Sequence, residues 1–543
     1  MEGIADFLDS LVGGIDLVCY SLAIGSLFWG LLVLQPWKNR TEYNEILLSR
    51  TVELAYKGAF ALAMVQGFKI ILKIWLMAAL LDRWPFPEFA HTTQFIGGMI
   101  RMILALLLAY YCHRHLSAAS FSRYSWSTAA TLAVPLVVSG AWLVHGAGRF
   151  EDTALLMSLT VIHQLAAAAW IGGVFQLVNL WLLRQQEKVP AELWPDLLRR
   201  FSTLGIASVA VILASGVPLA LKYFDSWNGF FGTGYGNLLL VKIMLLAMAL
   251  GFAWMNREAV RQYYVSGDPY AINRRTPYYI EAETFVLITL LFTAASLASQ
   301  PPAIDIPNLT ATWQEVLHTF APRFPRIVSP SHEALLAGEA GRTAIVGQTP
   351  SEAATAWSDY NHNIAGIFLT VMSIFAMLSY RKGYTWAYYW PAGFIALGIF
   401  LFFRSDAETW PLGPIGFWES TFSNGEVLQH RIATLLVLVL GYVEIKARIT
   451  TDPDSRLPFV LPILAAFGGL MLLTHSHVGF QAKTAFLIQI GHTLMGVFAL
   501  ILAVGRWLEL KLDEPGKSIA GFVSVFALFQ IGIILMFYRE PLY

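Results

Sequence analysis

The sequence predicts an all-α bundle of about fourteen membrane-spanning helices, and three observations lead to that fold. Of 543 residues, 56% are hydrophobic and only 13% charged, with zero formal net charge, a balance foreign to soluble chains of this length. Apolar runs long enough to cross a bilayer recur at 14–34, 54–81, 94–113, 126–146, 153–183, 202–222, 236–256 and 279–299, then at 362–380, 386–404, 429–447, 457–474, 485–505 and 519–538. Basic residues gather in alternate connections, twenty-one on one side against about nine on the other. By the positive-inside rule both termini face outward, as does the long connection after the eighth run.

Taken in order, the N-terminal MEGIADFLDS is acidic and no cleavage site follows the first run, so no removable signal peptide is expected. Cys19 and Cys112 lie in apolar runs near opposite faces. A structural disulfide is therefore not expected, and neither CxxC nor CxxCH occurs. Lys69, Lys73, Arg101, Lys222 and Lys242 occupy the outer halves of their helices, a set that favours an anionic group unless the side chains reach to the surface. The fifth run, LLMSLTVIHQLAAAAWIGGVFQLVNLWLL, exceeds the ~20 residues needed to span the hydrocarbon core. Ala166, Ala169 and Gly173 form a smooth strip along it, with His163 and Trp170 on an adjoining face. His163 then either hydrogen-bonds to a neighbouring helix or ligates a metal or haem.

Residues 300–361 contain PPAIDIP and APRFPRIVSPSH and are too polar for the bilayer, which divides the chain into an eight-span domain over 1–299, a connection, and a six-span domain over 362–543.

Beyond His163, the motifs RFSTLGIASVAVILASGVPLALKYF and TGYGNLLLVKIMLLAMALGFAWMNR follow HQLAAAAWIGG in an order that resembles the copper resistance protein D (CopD) family. The likeness covers about a hundred residues well and the eight-span half more loosely. It implies a bacterial inner-membrane protein that handles copper, often beside a small periplasmic copper-binding partner. Cu(I) prefers thioether and imidazole donors. The outward side of this half offers His91, Met99, Met102, His145 and Met157, with His163 deeper; Met99 and Met102 are one turn apart and share a face. Methionines in such a chain also serve simply to pack.

In the second half His362, His430, His475, His477 and His492 fall in one outer layer. Three readings stay open for them. Bis-histidine haem b would use His362, His430 and His492, with Ala365, Gly366 and Gly496 as small neighbours and Arg431 for a propionate. DYNHNIAG and LQHR are also similar to the histidine-bearing helices of haem A synthase. Copper would suit His475 and His477 flanking one serine, and structural polar contacts are the third reading.

No Walker A loop, GxGxxG, HExxH or GxSxG stands in a fitting context, so ATP-driven transport and nucleic-acid binding have no support, and no catalytic residue is expected. The leading expectation is copper capture at the periplasmic face and passage across or delivery within the membrane. The alternative is a haem b redox protein exchanging electrons with copper or quinone.

Overall fold

A computed structural model describes residues 2–37, 42–115, 123–144, 152–339, 351–450, 452, 454–474 and 482–540. His145, His475 and His477 lie outside the described residues. Each expected run is helical: α1 (Glu2–Phe28), α2 (Asn44–Leu81), α3 (Thr93–His115), α4 (Arg123–Ala141), α5 (Thr153–Gln185), α6 (Leu193–Leu221), α7 (Gly234–Ser266) and α8 (Thr276–Ser299). Then come α9 (Glu352–Ser379), α10 (Ala392–Arg404), α11 (Gly425–Ile449), α12 (Val460–Thr474), α13 (Ala482–Lys511) and α14 (Gly516–Met536).

Among the described residues, eleven helical segments are long and apolar enough to cross a membrane. The other three are α4, α10 and α11. Helix α10 has only 13 residues, because a 3-10 turn at Thr385–Tyr389 and then Pro391, which has no N–H to continue a helix, precede it. Helix α11 carries Glu426, Arg431, Glu444, Lys446 and Arg448.

The chain forms two compact units. The first comprises Leu11–Tyr223 and Leu246–Ala298; the second gathers Met1–Ser10, Phe224–Leu245 and Ser299–Tyr543. In the first, Gly25 on α1 and Gly172 on α5 face each other so closely that a Cβ on either would strike the other backbone. Such small-residue contact replaces the hydrophobic driving force that lipid cannot supply. A buried ion pair joins Arg101 Nη2 to Asp16 at 3.0 Å, and Arg101 also donates to the Leu136 carbonyl and lies over the Tyr20 ring.

In the second unit, a Cβ at Gly366 would strike the Met536 backbone, and one at Gly532 would come 2.7 Å from Thr370 N, so α9 and α14 touch along their main chains. Gly469 and Gly496 do the same for α12 and α13. Leu369, Met372, Phe394, Leu528 and Ile531 fill the space between helices. At one end, Glu444 binds Arg448 and Arg506, while Glu509 binds Arg506 and accepts from Tyr380. At the other, α9 and α13, each packed against α14, bring together a cluster of aromatic and imidazole rings. Between the halves, Thr312 and Glu315 close a reciprocal capping box on the short helix Trp313–Thr319.

Candidate metal site

Helix α9 places His362 where its Nδ1 lies 2.8 Å from the Ser358 carbonyl, one turn back. On α13, His492 Nδ1 lies 3.0 Å from the carbonyl of Ile488, again one turn back. A carbonyl only accepts, so each Nδ1 carries the hydrogen and each Nε2 the lone pair. That is how metal-ligating histidines are oriented by outer partners. The two ring centroids are 5.6 Å apart with planes at 83°.

Tyr538, just beyond α14, stacks on His362 at 4.1 Å and meets His492 edge-on at 5.9 Å. It is held there by its own main chain. Asn363 Nδ2 donates to the carbonyls of Leu535 and Tyr538, Arg539 donates to Asn363, and Glu540 N donates to Asp359 at 2.8 Å. The Arg539 and Arg326 guanidiniums compensate Asp359 at 3.7 and 3.9 Å. Burial pushes the Glu540 carboxyl up to about 7, with Glu426 and Asp359 adding to the shift against a hydrogen bond from Ser358.

His430 on α11 gives its Nδ1 hydrogen to Asp406 at 2.8 Å. Burial raises the Asp406 carboxyl, but the charge and hydrogen bond of His430 outweigh it and hold the group below its usual value. Arg431 turns elsewhere: it binds the Phe417 carbonyl, Thr421 and Ser420, and its guanidinium lies 3.9 Å over the Phe417 ring. Next to it, Phe402, Trp410, Phe417 and Trp418 line a cleft of about 490 Å³.

The other expected donors among the described residues are dispersed over the first unit. His91 ends the short helix Phe86–Ala90, Met99 packs with Ile70, Ile74 and Phe89, and the Met102 sulfur sits beside Gly67. Met157 is half-buried on α5. His163 Nδ1 lies 3.2 Å from both the Ile212 carbonyl and Ser215 Oγ on α6, the neighbour-helix bond that was one of its two readings. Lys222 pairs with Asp152 and Lys73 donates to Gln94. Among the described residues, no group of three or more His, Cys, Asp or Glu side chains has the geometry of a metal site. His362 and His492 bring two imidazoles together, with ring centroids 5.6 Å apart.

Sequence reasoning missed Asp406, Tyr538 and Glu540, whose partners lie far away in the chain. For Asp16 a signal was available: an acid inside the first apolar run.

A model of the family described as copper resistance protein D matches residues 195–297. "Copper transport protein CutJ" of Bacillus subtilis (strain 168) is 30% identical over 225 residues, covering 40% of this chain and 39% of that protein. The match thus spans about two fifths of that relative's length. No solved structure matches the chain.

Proposed function

We propose that this chain, whose residues 195–297 match the copper resistance protein D family, is a bacterial inner-membrane protein that captures copper at the periplasmic face and moves it across or delivers it within the membrane. Both termini and the connection over 300–361 face the periplasm, where a small copper-binding protein supplies the cargo. The connection joins a membrane domain over 1–299 to one over 362–543.

The observation that carries this reading is the pair His362 and His492, two imidazoles on helices that each pack against α14, with their Nδ1 hydrogens tied back to carbonyls. Imidazole is a good donor for copper, and a cuprous ion is satisfied by two nitrogens where most metals need more. A pair suffices here. Tyr538 fixes the first ring, and His430, held by Asp406, stands near as a further donor or a charge that repels the cation on release.

Haem b fits the same residues less well. Gly366 and Gly496, the small neighbours expected to border a porphyrin, are covered by the backbone of α14 and by α12, and Tyr538 lies on the His362 ring. Arg431, expected at a propionate, is occupied by Phe417, Ser420 and Thr421.

The test is copper accumulation by cells carrying the wild-type chain, the H362A/H492A variant, or no chain. The wild type should differ from both others. Equal accumulation in all three would remove copper movement as the function.

A further inference from the structure

Among the described residues, four of the five most deeply buried acidic residues are matched by arginines. Asp16 faces Arg101, Asp359 faces Arg326 and Arg539, Glu444 faces Arg448 and Arg506, and Glu509 faces Arg506. Glu283 on α8 is 2% exposed and forms no ion pair among the described residues. It sits about two turns from the start of α8, inside a segment long and apolar enough to span the bilayer. Its Oε2 accepts from Asn256 Nδ2 on α7 at 3.3 Å, and Trp170 on α5 is a second donor to the carboxyl. Glu283 Oε1 is buried without a hydrogen-bond partner, and so is Asn256 Oδ1.

Two acceptors of one side-chain pair, sealed from water and both lacking a donor, call for an explanation. An uncompensated carboxylate at such a place costs several kcal/mol. Both deficits are met by a small cation at the carboxyl. The number of available oxygens decides which cation. Calcium takes about six to eight oxygen ligands and magnesium a full octahedron, while cuprous copper prefers sulfur and imidazole. Two orphan oxygens suit a proton.

We propose that Glu283, with Asn256 as its hydrogen-bonding neighbour, is an intramembrane proton-binding site of the first unit. One proton bonds to Oε1, the negative charge disappears, no electron moves, and the new O–H supplies the missing donor. The charged groups around it are engaged elsewhere. Glu281 on the same helix accepts from Trp181, Arg184 on α5 lies over the Trp181 ring, and Arg275 before α8 lies over Tyr270. A carboxyl that must shed its proton to become charged inside the bilayer is a natural point for a proton-coupled step. The site involves no copper ligand, so it stands or falls apart from the copper reading.

Infrared difference spectroscopy of the full chain in lipid, with copper absent, tests the proposal. A carboxylic-acid C=O band should be present in the wild type, be lost in E283Q, and shift in N256A, whose amide bonds to the group. Two results would overturn the proposal: an unchanged band in E283Q, or loss of the wild-type band on adding sodium or potassium at constant pH, which would give the site to a metal cation. If E283Q does not fold, the wild type still decides through reaction with a membrane-permeant carbodiimide, which attacks protonated carboxyls. An adduct at Glu283 that fades as pH rises supports the site, and no adduct at any pH refutes it.

Discussion

His362 and His492, 130 residues apart in sequence, bring their rings to 5.6 Å, each with its Nδ1 bound one turn back on its own helix. Neither ring is positioned by the other. The intrahelical bonds set the tautomers, and Tyr538 sets the tilt of His362 by stacking at 4.1 Å. Y538A should therefore lower Cu(I) affinity on the order of 10-fold, as loss of an outer partner does at other metal sites. Y538F keeps the ring and should bind as the wild type does. Competition against a chromophoric Cu(I) chelator measures both.

The close contact of α9 and α14 depends on Gly366, one turn beyond His362 on α9. Adding a methyl group there forces the helices apart at the Met536 backbone. G366A should lose about 1–3 kcal/mol and weaken Cu(I) binding as well, because Tyr538 moves with the end of α14. Thermal unfolding in detergent reads the first effect; an unchanged Tm would show that the contact is not needed.

Arg101 is fixed by Asp16, the Leu136 carbonyl and the Tyr20 ring rather than held open for an anionic ligand. R101L leaves the Asp16 charge buried with the amide of Gln66 as its remaining donor and should cost about 3–5 kcal/mol. R101L/D16N removes both charges and should recover much of that loss. A double variant as unstable as R101L would mean that the side-chain packing of Arg101 matters more than its charge.

Much of this architecture is legible in the sequence because lipid imposes a simple pattern, long apolar runs with basic residues at alternate ends. The histidines of the C-terminal half are legible for the same reason, since polar groups in apolar runs stand out. What escapes is pairing. Asp406 meets His430 from a connection, and Tyr538 reaches His362 from beyond the last helix, so no spacing along the chain announces either contact. Gly366 reads as room beside a histidine, whereas its space is filled by another helix, a distinction only the packing of α14 makes. Glu283, in IEAETFVLIT, did carry a signal: an acid one turn inside an apolar run. Helix α10 is shorter than its run because Pro391 sets the start of the helix where hydropathy alone marks none.

Glu540 gives the account a pH dependence. Its carboxyl is raised by burial from 4.5 to about 7, so the folded chain holds a proton there that the unfolded chain has released. The cost is absent below pH 4.5, grows as pH rises to about 7, and is complete above that. E540Q should be more stable than the wild type above this window, on the order of 1–3 kcal/mol, and gain nothing below it. Tm measured against pH for the two proteins checks the sign; parallel curves would contradict the assignment.

The most direct test of the central claim is Cu(I) titration of the purified full chain in detergent, comparing the wild type with H362A, H492A and the double variant. The account predicts that the wild type holds a copper ion that each single variant binds more weakly and the double variant does not bind, with all four proteins equally helical. A double variant that keeps the wild-type stoichiometry and affinity would contradict it, and would place any copper elsewhere in the chain.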